Sequence, residues 1–94
     1  MAGTTRRGRT KKVRPLPDTP IPEEKLVFHH LLGTRVRERR LASGWTPKDL
    51  ASRSGLTGQS VRNVEAGKGN VQAWTIYCLA KALGVPAGWL AFGG

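Results

Sequence analysis

Residues 46–68 read TPKDLASRSGLTGQSVRNVEAGK, and two short helices joined by a tight turn can be laid out on them. Thr46 is an N-cap residue, and Pro47 suits a first helical position, where its missing N–H would have no partner anyway. Leu50 and Ala51 give this helix, about 47–54, a small apolar face before Gly55 stops it, as a residue free to take a positive φ does. Thr57 is a second N-cap. Leu56, Val61 and Val64 at helical spacing then give a helix over about 58–65 one apolar side. The pair forms a helix-turn-helix.

On the second helix, Gly58, Gln59, Arg62 and Asn63 face away from Val61 and Val64, because residues four apart stack one turn above another. The strip is polar and free of acids. Asn and Gln offer an adenine edge a donor and an acceptor together, and Arg forks onto guanine. A helix carrying these outward fits the major groove of duplex DNA. A polar strip is also what any solvated helix shows, so the turn before it carries much of this reading.

The run from Leu32 to Phe92 resembles the Cro and phage-repressor type of helix-turn-helix domain, the lambda-repressor-like or XRE family. The matching residues are Leu32-Gly33, Arg35-Val36-Arg37, Arg40, Gly44, Thr46, Leu50-Ala51, Gly55, Val61, Val64-Glu65, Gly67-Lys68, Leu79-Ala80, Ala82 to Val85 and Trp89-Leu90. The resemblance implies an all-α, compact bundle of four or five helices. It further implies an Arg40–Glu65 pair bracing the recognition helix against the first helix. Lys68 and Asn70, in the loop after that helix, are expected on phosphates, with Thr57 and Lys48 near helix N-termini as further contacts. Three residues depart from the family pattern. Pro47 replaces a glutamine that often opens the first motif helix, Arg39 occupies a usually apolar position, and Gly58 removes the side chain at the first base-facing position.

The chain has 94 residues and a formal charge of +10. Residues 1–22 hold six basic and one acidic residue (+5), and residues 23–94 hold ten and five (+5). A polyanionic partner follows, since phosphate neutralisation with counterion release drives binding to nucleic acid. Residues 1–22 combine Arg6, Arg7, Arg9, Lys11, Lys12 and Arg14 with prolines and few apolar side chains, a composition that predicts a disordered arm. Its expected role is non-specific electrostatic affinity, with minor-groove entry by the Arg-Gly-Arg at 7–9 as an alternative. The folded domain is then 23–94. Cys78 is the single cysteine, so no internal disulfide forms. The absence of a signal-peptide or membrane-span pattern predicts a cytoplasmic protein.

Between these landmarks, Glu23 and Glu24 mark the start of a helix running toward Ser43. Leu32, Val36 and Arg40 share one of its faces, whereas the 26–32 stretch is apolar around more than one side. That surplus either packs on a fifth helix or meets a partner chain. His29 and His30 point about 100° apart and have no clustered ligands, so solvated or partly packed histidines are expected, with no metal and no cofactor. No nucleophile set or phosphate loop appears, which predicts a non-enzyme. A fourth helix over about Gln72 to Leu83 is expected to turn Ala73, Ile76, Ala80 and Leu83 inward with Leu79 beside them, and to carry Trp74 and Tyr77 on its other side as a candidate contact surface. Trp89 and Leu90 close the core from a last short helix.

The expected function is sequence-specific binding of double-stranded DNA by a transcriptional regulator. It is read as a repressor bound as a homodimer to a pseudo-palindromic operator. The alternatives are an antitoxin-type module that binds a protein through Trp74, Tyr77 or the 26–32 stretch, and an architectural cofactor of phage or plasmid origin.

Overall fold

The computed structural model describes residues 22–93. The basic-arm residues Arg6, Arg7, Arg9, Lys11, Lys12 and Arg14 lie outside them. Five α-helices follow in order: α1 Pro22–Ala42, α2 Pro47–Ser54, α3 Gly58–Glu65, α4 Ala73–Leu83 and α5 Ala87–Phe92, with no strand among the described residues. In α1, Glu23 and Glu24 occupy the first turn and Arg39 and Arg40 the last. Each charge sits where it opposes the partial charge of the helix end.

The core is the place where all five helices meet. Leu32 and Val36 of α1, Leu50 of α2, Val61 of α3, Leu79 of α4 and Leu90 of α5 are fully buried. Each such side chain stabilises the fold by roughly 1.5–3 kcal/mol relative to exposure. Because every helix supplies at least one, none can detach without opening the same apolar cluster. Gly33 sets how closely α1 approaches α3. A Cβ there would run into the carbonyl oxygen of Val64 and stand 2.8 Å from that of Glu65, so the two backbones touch where a side chain would hold them apart.

Three local expectations change. Leu79, expected beside the inward row of α4, is fully buried at its centre, and Ala73 is exposed, whereas Ile76 is half-buried and packs against the core as expected. Ala73 is the first residue of α4, ahead of the turns that pack, and the buried stripe is Leu79, Ala80 and Leu83. His29 is buried, because the α3–α4 loop folds over it and brings Gly67 against the His29 carbonyl. His30 remains exposed. The apolar surplus on α1 goes only in part to the fifth helix: Phe28 packs on α5, its ring 5.8 Å from that of Phe92, while Leu26, Val27 and Leu31 are exposed.

Arg35 ties α1 to α5 from the other side. Its Nη1 donates to the carbonyls of Leu90 and Ala91 at 3.2 and 3.3 Å, so a cation satisfies acceptors that the end of a short helix leaves open.

Candidate nucleic-acid interface

The α2–turn–α3 unit is held by side-chain caps at both helix starts. Thr46 Oγ1 accepts from the Asp49 N–H at 3.1 Å, and Asp49 Oδ2 accepts from the Thr46 N–H at 3.0 Å, a reciprocal capping box. The Thr46 backbone N–H, followed by the Thr46 hydroxyl, holds the Asp49 carboxyl below its ordinary pKa. At the other end Gly55 takes φ +75°, and the Leu56 N–H reaches back to the Ala51 carbonyl at 3.0 Å. This left-handed residue turns the chain into α3 within three residues.

Thr57 caps α3 by accepting from the Ser60 N–H at 3.0 Å, and its hydroxyl donates to Ser60 Oγ at 2.9 Å. Each hydroxyl has one proton, so when one of the two closes this contact the other is left to meet an outside acceptor. Val61 and Val64 turn inward. Gln59 and Arg62 are exposed and Asn63 is half-buried. Gln59 Nε2 donates to Asn63 Oδ1 at 2.9 Å, which leaves the Gln59 oxygen as an acceptor and the Asn63 amide hydrogens as donors not used by this bond. Nothing acidic lies in the first turn of α3.

Beyond α3 the chain turns under Asn63, where the Lys68 N–H donates to the Asn63 carbonyl at 2.9 Å. A cleft of about 310 Å³ opens there, lined by Ser60, Asn63, Lys68, Asn70, Gln72 and Thr75 among others. It brings together the expected contacts Asn63, Lys68 and Asn70 with Ser60, Gln72 and Thr75, which sequence reading did not single out. Ser60 could have been found from its position three residues after the N-cap, the place that pairs with a capping side chain. Lys48, on the first turn of α2, is exposed and outside this cleft.

The far end of α3 is fixed to α1 by an ion pair shielded from water. Arg40 Nε and Nη2 donate to Glu65 Oε2 and Oε1 at 2.6 and 3.0 Å, and Arg40 Nη1 donates to the Trp45 carbonyl at 2.6 Å. The two side chains are 9% and 10% exposed. The fork fixes both the height and the rotation of the C-terminus of α3, since both carboxylate oxygens are engaged. On α4, Trp74 and Tyr77 are exposed and stacked, with ring centroids 5.4 Å apart, and Lys81 Nζ lies 6.0 Å from the Tyr77 ring. Among the described residues no group of three or more His, Cys, Asp and Glu could hold a metal ion. No described helix is long and apolar enough to cross a membrane.

Comparison with known proteins agrees with this architecture. A protein of Rhodospirillum rubrum, described as an uncharacterized transcriptional regulator in the ATPase CF(0) region, is 39% identical over 70 residues. The match takes in 70% of this chain, and the chain spans 65% of that relative's length. Among solved structures, the restriction-modification controller protein C.AhdI from Aeromonas hydrophila is similar with a TM-score of 0.65 at 38% identity, over 68% of this chain and 97% of that one. The hypothetical transcription factor NHTF from Neisseria is similar with a TM-score of 0.68 at 28% identity, over 86% and 90% of the two chains. The family model for the helix-turn-helix domain matches residues 31–90, and the chain therefore belongs to the helix-turn-helix domain family, in its Cro and phage-repressor (XRE) form.

Proposed function

We propose that this protein is a transcriptional regulator that binds double-stranded DNA sequence-specifically, with α3 in the major groove. The observation that carries the reading is the outward face of α3. Gln59, Arg62 and Asn63 stand there without an acidic neighbour on the helix until Glu65, and Glu65 is tied to Arg40. The paired amides match an adenine edge and the guanidinium a guanine edge. Lys68 and Asn70, beside the same helix, are assigned to phosphates, with Ser60 as a further donor next to Thr57. Lys48 is assigned to the backbone on the α2 side. The relatives are consistent with this, being described as a transcriptional regulator, a transcription factor and a controller protein.

A single eight-residue helix reads too few base pairs to stand out against the competing sites of a genome. We therefore assign a symmetric dimer with one α3 per half-site, acting in the cytoplasm as a repressor that occludes its operator. Selection of bound duplexes from a random library tests this. The expected product is a pseudo-palindrome whose half-site centres lie about 10 base pairs apart or a multiple of that. Failure to enrich any sequence refutes sequence-specific binding, and a single half-site refutes the dimer.

The exposed Trp74–Tyr77 stack supports a second reading, in which this face of α4 contacts a protein partner. Under it, Trp74→Ala leaves duplex affinity unchanged and abolishes the partner's binding. A loss of duplex affinity in that variant would instead assign the face to the DNA-bound assembly.

A further inference from the structure

Glycine at position 58 has no backbone reason. Six of the described glycines hold a positive φ, and Gly58 is not one of them. Gly33 is required by a close backbone approach. Gly58 opens α3, where an ordinary residue would favour the helix more than glycine does. What a side chain there would meet is Arg62. A Cβ on Gly58 would stand 3.3 Å from Arg62 Nη1 and 3.7 Å from both Cζ and Nη2, and these are its three nearest neighbours.

The guanidinium of Arg62 thus lies back along α3 over the space that Gly58 leaves open. It has no competing engagement among the described residues, whereas Arg40 and Arg35 are both tied to groups within the fold. The Gln59–Asn63 hydrogen bond occupies the neighbouring row of the same face, so the surface divides into a linked amide pair and a separate arginine fork.

We propose that Gly58 is the positioning residue for Arg62: the absence of a Cβ lets the guanidinium lie across the N-terminal end of α3, where it forks onto guanine O6 and N7 at a base pair distinct from the one met by Gln59 and Asn63. This rests on the reading that α3 enters the major groove. A methyl at position 58 must displace the guanidinium by a few tenths of an ångström or send it to another rotamer. An arginine–guanine fork depends on both donors being aligned at once.

The test is in vitro selection followed by competitive titration with the full chain and its Gly58→Ala, Arg62→Ala and double variants. Arg62→Ala abolishes the guanine preference at one base pair, a discrimination of roughly 5- to 150-fold. Gly58→Ala lowers the preference at that same base pair, leaves the amide-read position intact, and has no further effect there in the Arg62→Ala background. Its melting temperature is equal to or above that of the unsubstituted chain, because alanine favours the helix. This separates a positioning role from a structural one. A Gly58→Ala consensus identical to the original overturns the inference, as does a change at a different base pair or an equal effect with and without Arg62. If the unsubstituted chain enriches no duplex, the reading of α3 as a DNA-contacting helix falls, and this inference with it.

Discussion

Replacing Glu65 with alanine tests whether the end of α3 is held by its ion pair. Arg40 has three short hydrogen bonds, two to the Glu65 carboxylate at 2.6 and 3.0 Å and one to the Trp45 carbonyl at 2.6 Å. Both side chains are about nine-tenths buried, so Glu65→Ala leaves a guanidinium shielded from water with one hydrogen bond of three. Removing one member of a buried pair destabilises by about 3–5 kcal/mol, much of the roughly 5–15 kcal/mol that holds a natural domain together. At about 4–8 °C per kcal/mol for a domain this small, the melting temperature drops by roughly 12–40 °C. Circular dichroism at 222 nm during heating reads this directly. The double variant Arg40→Met/Glu65→Leu is the control, because an apolar pair of similar volume leaves no unpaired charge and loses much less. A Glu65→Ala chain melting within about 4 °C of the original, under about 1 kcal/mol by the same conversion, refutes the reasoning. So does a double variant that falls as far as the single one.

Gly33→Ala pushes a methyl into the carbonyls of Val64 and Glu65 and is expected to destabilise by about 1–3 kcal/mol in urea titration; an unchanged midpoint would mean that α1 and α3 can separate freely. The Asp49 carboxyl has a folded-state pKa below its ordinary 3.8, so its contribution is present at neutral pH and is lost as pH falls through and below that value. Asp49→Asn should accordingly flatten the acid limb of the melting temperature against pH, and identical limbs would contradict the capping box. A chain beginning near Asp18 lacks all six arm cations. The slope of log K against log salt should become shallower by up to about 0.9 for each phosphate the arm engages; equal slopes for the two chains would rule out arm contact with DNA.

The helix-turn-helix was legible in the sequence because its punctuation is local. Thr46, Pro47, Gly55 and Thr57 each act within one turn of their own position, and they stand where α2 begins and ends and where α3 begins. The Leu32, Val36 and Arg40 face of α1 was legible for the same reason, as all three are buried. Part of what escaped depends on distant segments meeting. His29 is buried by a loop almost forty residues downstream, a relation no periodicity encodes. In the inward row of α4 only Ala73 was misplaced, because it is the first helical residue and precedes the packed turns. Ser60 stands three residues after the Thr57 cap, a local relation, but its place on the lining of the cleft comes from the fold. Gly58 was visible as an omission, but its relation to Arg62 required the path of a side chain.

The central claim is that α3 reads bases, and titrating Asn63→Ala against two duplexes tests it most directly. One duplex carries the sequence selected by the unsubstituted chain, and the other is a scrambled sequence of the same length and composition. Loss of a bidentate adenine contact should weaken binding to the selected duplex by about 1–3 kcal/mol per recognition helix, roughly 5- to 150-fold, and leave the scrambled duplex nearly unchanged. Equal affinity of the variant and the original for the selected duplex, or an equal loss on both duplexes, would contradict base reading by this helix.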